Sequence, residues 1–546
     1  MRRNIKCNAM QFIKGIGLTM VLILSACNNE QFFEQDAPPV TEWKKIADME
    51  MGIANAYRLT LVQNESSCWN FMPFVHFGQS DIVREISVNG GWNSNVTYSR
   101  DFQQRIGQTD KFAICYSVIL YCNNMLDFIA KDPFPNATEI DKTKNISRIK
   151  GEALFLRALA YYHLLIWYTP AFDPQGTNDS KLLTLRINTP TTVDIALTNT
   201  PVETKLIYDQ VVKDFTEAKS LLPLKWETGM NIAYKFGRVS KHAAGAYLGR
   251  TLMLMGKYNE ALAELDAVLN DAAQSRTLEA DPEANWVNNN ATVPWASNEV
   301  IWYAFFADIN LATNFRHNLN FHYFDNAIFP NPDDWRDWWI WSLNTKTVKR
   351  VGMMAADNSV PVSWTNDKRS KLYHRFEGYD NSLPSTTKYN YTYLVNRAFE
   401  GRVGKADPVY MSKKYFRVPL VGQSKTAAPQ NLPIIRSSEL YLWRAALKQV
   451  TAKGGQAADL NLVRQRAWDT AKSGAYVPLT DAQATWELID QEWVKEMAFE
   501  GDRVIWLQMF KKPIGPGDRT VADVVAPYPN FFYPIPLSET DFNPKN

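Results

Sequence analysis

The clearest hydrophobic pattern in this chain is one with no polar side. From Gly151 to Tyr168, GEALFLRALAYYHLLIWY, apolar residues cover every face of a helix, and a helix that is apolar all round is buried. Glu152, Arg157 and His163 interrupt the run, and charge inside lipid is costly. The stretch therefore reads as the central helix of a helical body and not as a membrane span. Pro170 and Pro174 close it, since proline lacks the amide hydrogen and disfavours helix in the residue before it. Arg157, carried into that interior, needs a carboxylate or backbone carbonyls, and a structural ion pair is its expected role.

Around this centre the periodicity is mostly helical. Between Thr41 and Gln63, Trp43, Ile46, Met49, Ile53, Ala56, Tyr57, Leu59 and Leu61 recur mainly at three and four, which predicts an amphipathic helix. Asn64 to Arg100 is rich in Gly, Asn and Ser and reads as a loop carrying Trp69, Trp92 and Tyr98. Helix returns from Asp101 to Ala130, gives way to an extended stretch at Leu182 to Thr200, and resumes after Pro201 as far as Leu222. Val239 to Asn270 predicts two helices split at Gly256-Lys257, a pattern like a tetratricopeptide unit. One such unit cannot bury its own face; Ser437 to Val450 and Ala457 to Ala471 form a second candidate pair. Residues 271–436 have little helical periodicity, and a single final helix is expected from Thr485 to Phe510. The pattern as a whole predicts a mainly α fold: a tetratricopeptide-like helical scaffold with a loop-rich, mixed ligand-binding lobe.

Composition adds two facts. Lys plus Arg at 59 against Asp plus Glu at 57 gives a formal charge of +2, so nothing recruits nucleic acid by charge. Aromatic residues make 13% of the chain, and eight of its 18 tryptophans fall between Trp286 and Trp364. A loop-rich excursion that concentrates rings is where a binding surface is expected.

The N-terminus has the layout of an export signal: Arg2, Arg3, Lys6 and Lys14, then a short apolar segment from Ile16 to Ala26. Its end, Leu24-Ser25-Ala26-Cys27, resembles the bacterial lipobox, which implies cleavage before Cys27 and lipidation of its thiol. Of the remaining cysteines, Cys115 and Cys122 lie on one face of a helix but too far apart along its axis to bond. They are expected as buried thiols, and no cysteine spacing suggests a zinc site.

Four separated stretches resemble the SusD/RagB family: Gly151-Glu152-Ala153 through Arg157-Ala158 to Tyr161-Tyr162; the helix pair at 239–270; Glu492 to Arg503, EWVKEMAFEGDR; and the tail Pro534-Ile535-Pro536, Glu539, Asn543-Pro544. Asp502 stands where that family often has His, Trp493-Val494 replaces basic residues, and Ala446 stands where a second acid is usual. The resemblance implies a lipid-anchored, surface-facing outer-membrane protein that captures nutrient, usually oligosaccharide. It would pass this to a SusC-like TonB-dependent transporter. Peptide capture is the alternative cargo, and a lid without a ligand of its own a third reading. The implied organisation is a signal peptide at 1–26, a lipidated tether at 27–40, an N-terminal scaffold at 41–270 with a ligand loop at 64–100, an aromatic excursion at 271–436, and a C-terminal scaffold and tail at 437–546.

A sugar presents apolar CH faces and a rim of hydroxyls, so its site needs aromatic platforms beside polar side chains. Two places qualify. One is the loop with Trp69, Asn70, Asp81, Arg84, Trp92, Asn93 and Asn95; the other is NPDDWRDWWIW, where Asp334 and Arg336 alternate with Trp335, Trp338, Trp339 and Trp341. Most tryptophans in any protein fill core, and the same is expected of many here. Carboxylate pairs such as Asp333 with Asp337 or Glu496 with Glu500 have glycosidase-like composition, but acids four apart on helices are more often solvated or paired. With no HExxH, GxSxG or phosphate-cradling loop, binding without catalysis is expected. No cofactor is called for; Asp-rich loops leave room for a calcium ion, without an EF-hand pattern.

Overall fold

The computed structural model describes residues 43–62, 72–85, 98–102, 108–192, 195, 198, 200–287, 297–305, 341–376, 408–412, 414 and 431–536. The chain divides into two compact units, Met1–Asp48 and Met49–Asn546. In the first, the amides of Lys44 and Lys45 donate to Asp48 Oδ2 at 2.9 and 3.1 Å, opening helix α1 (Ile46–Tyr57). A π turn, Arg58–Val62, extends that helix. Within the stretch expected as a loop, Asn64 to Arg100, lie instead a short helix, α2 (Met72–Gln79), and a strand, β1 (Val83–Glu85).

The second unit is mainly helical, and it is built around the stretch without a polar side. Helix α4 (Ser147–Tyr168) buries every residue except Ser147, Lys150 and Ile166. It is flanked by α3 (Gln108–Ile129) and α5 (Thr204–Leu221). Helix α3 holds the one segment among the described residues, Lys111–Ile129, long and apolar enough to cross a membrane. It turns Phe112, Cys115, Val118, Ile119, Cys122 and Met125 into the core, with both cysteines buried. Arg157 ties the three helices together. Its Nε and Nη2 donate to the two Asp214 oxygens on α5, each at 2.8 Å, and Nη1 donates to Asn123 Oδ1 on α3 at 2.9 Å. The bidentate geometry is the strong form of the pair.

The chain then stacks helix on helix. Before α5 a two-stranded ribbon forms from β2 (Lys181–Thr184) and β3 (Pro201–Glu203). After it come α6 (Lys241–Leu254) and α7 (Tyr258–Leu269), split at Gly256 as expected. Gly256 turns the chain at φ +73°. A Cβ on Gly245 would stand 2.9 Å from Val268 Cγ2, so the absent side chain is what lets α6 and α7 close up. Between them and the C-terminal helices, strand β4 (Val300–Ala304) pairs antiparallel with β8 (Leu432–Arg436). A four-stranded antiparallel sheet has the order β1-β5-β7-β6, with β5 (Trp341–Leu343), β6 (Tyr373–Phe376) and β7 (Val409–Ser412). Helices α8 (Ser437–Val450) and α9 (Gln456–Ala467) follow, with α8 packed on α7.

The single helix expected at the C-terminus is two. Helix α10 (Trp486–Met497) stops where Ala498 becomes extended, and α11 (Arg503–Met509) restarts after Phe499 and Gly501, at φ +72° and +92°. Charge explains the break. Lys414 Nζ takes the freed carbonyls of Glu496 and Ala498 at 2.6 and 2.9 Å, and Glu500 in the gap accepts from Arg436 and Lys414. Trp341, at the end of the second nominated stretch, lies in a strand.

Candidate functional site

The two stretches nominated for ligand binding share a root. Strand β1 ends at Glu85, from which the chain enters residues 86–97; β5 begins at Trp341, to which the chain returns from 306–340. In the antiparallel register Val83 faces Leu343, Arg84 faces Ser342 and Glu85 faces Trp341, so both stretches meet the sheet at the same end. The ring of Tyr98, on the far side of the first stretch, stacks on Trp341 at 6.1 Å.

Arginines fix this root. Arg503 at the start of α11 donates from Nε and Nη2 to the two Asp81 oxygens at 2.7 and 2.8 Å, and its Nη1 reaches Asp490 on α10. Arg519 Nη1 donates to Ser80 O at 2.7 Å and Nη2 to Gly78 O at 2.5 Å, and its guanidinium lies 4.2 Å from the Tyr98 ring centre. Arg100 donates to Gln79 O at 2.8 Å and Gly515 O at 2.6 Å. Burial lowers both Arg100 and Arg519 to about 10, so each remains a cation at neutral pH. Backbone closeness completes the clamp. Gly517 sits at φ +63°, and a Cβ there would lie 2.8 Å from Asp81 O.

Of the nominated residues, Asp81, Arg84 and Trp341 fall within the described structure. Asp81 spends both oxygens on Arg503, and Arg84 is half-buried at the centre of β1. Trp69, Asn70, Trp92, Asn93, Asn95, Asp334, Trp335, Arg336, Trp338 and Trp339, together with Cys27, lie outside the described residues. Trp341, nominated as a platform, is core, as are three other tryptophans of the aromatic excursion, Trp286, Trp302 and Trp364. Sequence reasoning missed Arg100 and Arg519, because an arginine whose acceptors are backbone carbonyls leaves no paired acid to find.

Of the carboxylate pairs weighed for catalysis, Asp333 with Asp337 lies outside the described residues. Glu496 and Glu500 are engaged with Arg436, Arg466 and Lys414. Among the described residues no group of three or more His, Cys, Asp or Glu side chains is placed to hold a metal ion.

The root is acid-sensitive. The Arg503 and Arg350 charges, outweighing burial, hold Asp490 down at about 2, and Lys495 and Arg369 do the same for Glu492. Both carboxyls titrate higher in the unfolded chain, so their contribution is complete above about pH 4.5 and is lost as pH falls toward 2. Thermal unfolding should therefore move to lower temperature across that window. Asp490→Asn should flatten the acid limb, and an identical pH profile for that variant would remove Asp490 as a cause.

Residues 33–253 match the family model described as starch-binding associating with outer membrane, of the SusD-like type, and residues 298–507 match the SusD family model. No curated protein matches the sequence. Among solved structures, a SusD superfamily protein from Bacteroides thetaiotaomicron superposes with a TM-score of 0.68 at 18% identity, over 92% of this chain and 98% of that one. A putative sugar binding protein from Bacteroides vulgatus gives 0.66 at 17% identity, over 91% and 97%. A laminarin binding SusD-like protein gives 0.61 at 18%, over 90% and 96%. At these identities the likeness is one of fold.

Proposed function

Because the chain belongs to the SusD/RagB family, we propose that it is a surface-exposed, glycan-binding lipoprotein that captures oligosaccharide and delivers it to a SusC-like TonB-dependent transporter. The observation that carries this reading is the pairing of Glu85 with Trp341. It gives one origin to residues 86–97, which hold Trp92 and three Asn, and to residues 306–340, which hold three Trp with Asn, Asp and Arg. Indole faces would take the CH faces of pyranose rings, and the Asn, Asp and Arg side chains would take the hydroxyl rim. Nothing in this mechanism makes or breaks a bond in the glycan. The protein holds its ligand, and the transporter draws it away. Lipid on Cys27 and the tether to residue 40 keep the binding body at the outer membrane.

The test is a binding screen of the full chain in detergent against starch, laminarin and other polysaccharides, with casein peptides alongside, read by calorimetry and tryptophan fluorescence. The expected result is saturable glycan binding that Trp92→Ala and Trp338→Ala each weaken by about ten-fold or more, the size of one lost stacking contact plus its buried area. Peptide binding with no glycan binding would overturn the cargo. Release of reducing sugar by the purified protein would overturn binding without catalysis.

A further inference from the structure

A second place on the molecule has the makings of a ligand site, on elements separate from the sheet root. The connector after α4, the start of α5 and the α6–α7 turn enclose an open groove of about 580 Å³, within the usual size range of small-molecule sites. Pro174 and the half-buried Phe172 give it apolar surface, the buried Met255 forms part of its wall, and Asp179, Glu203, Asp209, Lys205 and Lys257 line its rim.

The groove is built, and its rim is uncommitted. Asn178, held at φ +52°, closes the connector by taking the Asp173 amide at 2.9 Å and donating to Asp173 O at 2.8 Å and Gly176 O at 3.1 Å. Lys205 N donates to Asn178 O at 3.1 Å, joining the connector to α5. Lys511, whose ammonium burial pushes down to about 8, donates to Phe172 O at 2.9 Å and Leu254 O at 2.8 Å, which ties the connector to the end of α6. A Cβ on Gly256 would lie 2.5 Å from Pro174 Cγ, so the α6–α7 turn rests directly on the connector. By contrast, among the described residues no hydrogen bond or ion pair engages the rim carboxylates of Asp179, Glu203 and Asp209 or the ammoniums of Lys205 and Lys257.

Charge then selects the ligand class. An anion entering the groove meets three carboxylates, and a cation meets two ammoniums. A neutral polyol suits both, because a hydroxyl can donate to a carboxylate and accept from an ammonium while its CH face lies on Pro174 and Phe172. We propose that this groove is a second glycan subsite, separate from the sheet root, that takes a short neutral oligosaccharide stretch. The proposal rests on the glycan-binding reading above.

The experiment follows the Met255 methyl resonance in the full chain, labelled at methionine methyls and assigned with Met255→Leu, during titration with maltohexaose and laminarihexaose. The expected result is a saturable millimolar shift that persists in Trp92→Ala and Trp338→Ala. The exposed-rim variants Asp209→Ala and Lys257→Ala should weaken it by about ten-fold, the upper size of one net hydrogen bond. A silent Met255 methyl beside calorimetric glycan binding would overturn the groove and leave the function standing. Silence in both measurements would overturn both. A shift unchanged by the rim variants would also overturn the groove, since the contact would not be the one described.

Discussion

Glu496→Ala should cost about 3–5 kcal/mol of unfolding free energy, the loss expected when one partner is removed from a buried ion cluster. Glu496 is fully buried and its Oε1 accepts from Arg436 Nη1 at 3.0 Å and Arg466 Nη2 at 2.6 Å, while Arg369 Nη1 lies 3.8 Å from Oε2. Those guanidiniums, outweighing burial, hold its carboxyl far below the usual range. Glu299 bridges Arg436 and Arg466 from the other side at 2.7 and 3.0 Å, but its two oxygens cannot serve both guanidiniums alone. Truncation thus leaves cationic hydrogens in the interior without acceptors, and the penalty is theirs. The comparison is Asp281→Ala, which removes the partner of Lys371 in a pair that is 41% and 49% exposed; such a pair contributes about 0–1 kcal/mol. Denaturant unfolding of both variants should separate them clearly. A Glu496→Ala loss no larger than that of Asp281→Ala would mean that water reaches the cluster.

How much of this was legible in the sequence depended on whether a signal was local. The central helix announced itself because every face of Gly151 to Tyr168 is apolar, and the α6–α7 turn because Gly256 follows an unbroken helical pattern. Arg157 was readable as an ion pair from its apolar surroundings, though not its partner Asp214, which is 57 residues away. The break between α10 and α11 was hidden. Phe499 carries no signal for a left-handed backbone, and the charges that hold the gap come from Lys414 and Arg436, far along the chain. The departure at Asp502 proved to be scaffold: it pairs with Arg250 on α6, and burial raises its carboxyl. For the site, composition nominated two aromatic stretches separately. Their common root was out of reach, since strand pairing between Glu85 and Trp341 joins residues that share no periodicity.

Burial also decides which tryptophans are poor candidates for ligand, and Trp302 makes the sharpest case. It comes from the aromatic excursion, yet it is fully buried, with its ring edge-on to Phe155 at 5.2 Å and to Tyr247 at 6.0 Å. Phe155 in turn meets Phe215 at 5.2 Å, so one indole on β4 joins the aromatic cores of α4, α5 and α6. Its Nε1 donates to Gly237 O at 2.9 Å, which leaves no polar edge for a sugar. Trp302→Ala should cost about 3–5 kcal/mol from the cavity, with a further loss because the Gly237 carbonyl is left without its donor in the interior. Trp302→Phe keeps most of the volume and should recover the larger part. Because the ring carries the contact between strand and helices, the loss should appear as an earlier denaturant midpoint with glycan affinity unchanged in the fraction still folded. Affinity lost at full folding would move Trp302 from the core to the site, and a stability change under about 1 kcal/mol would contradict its packing.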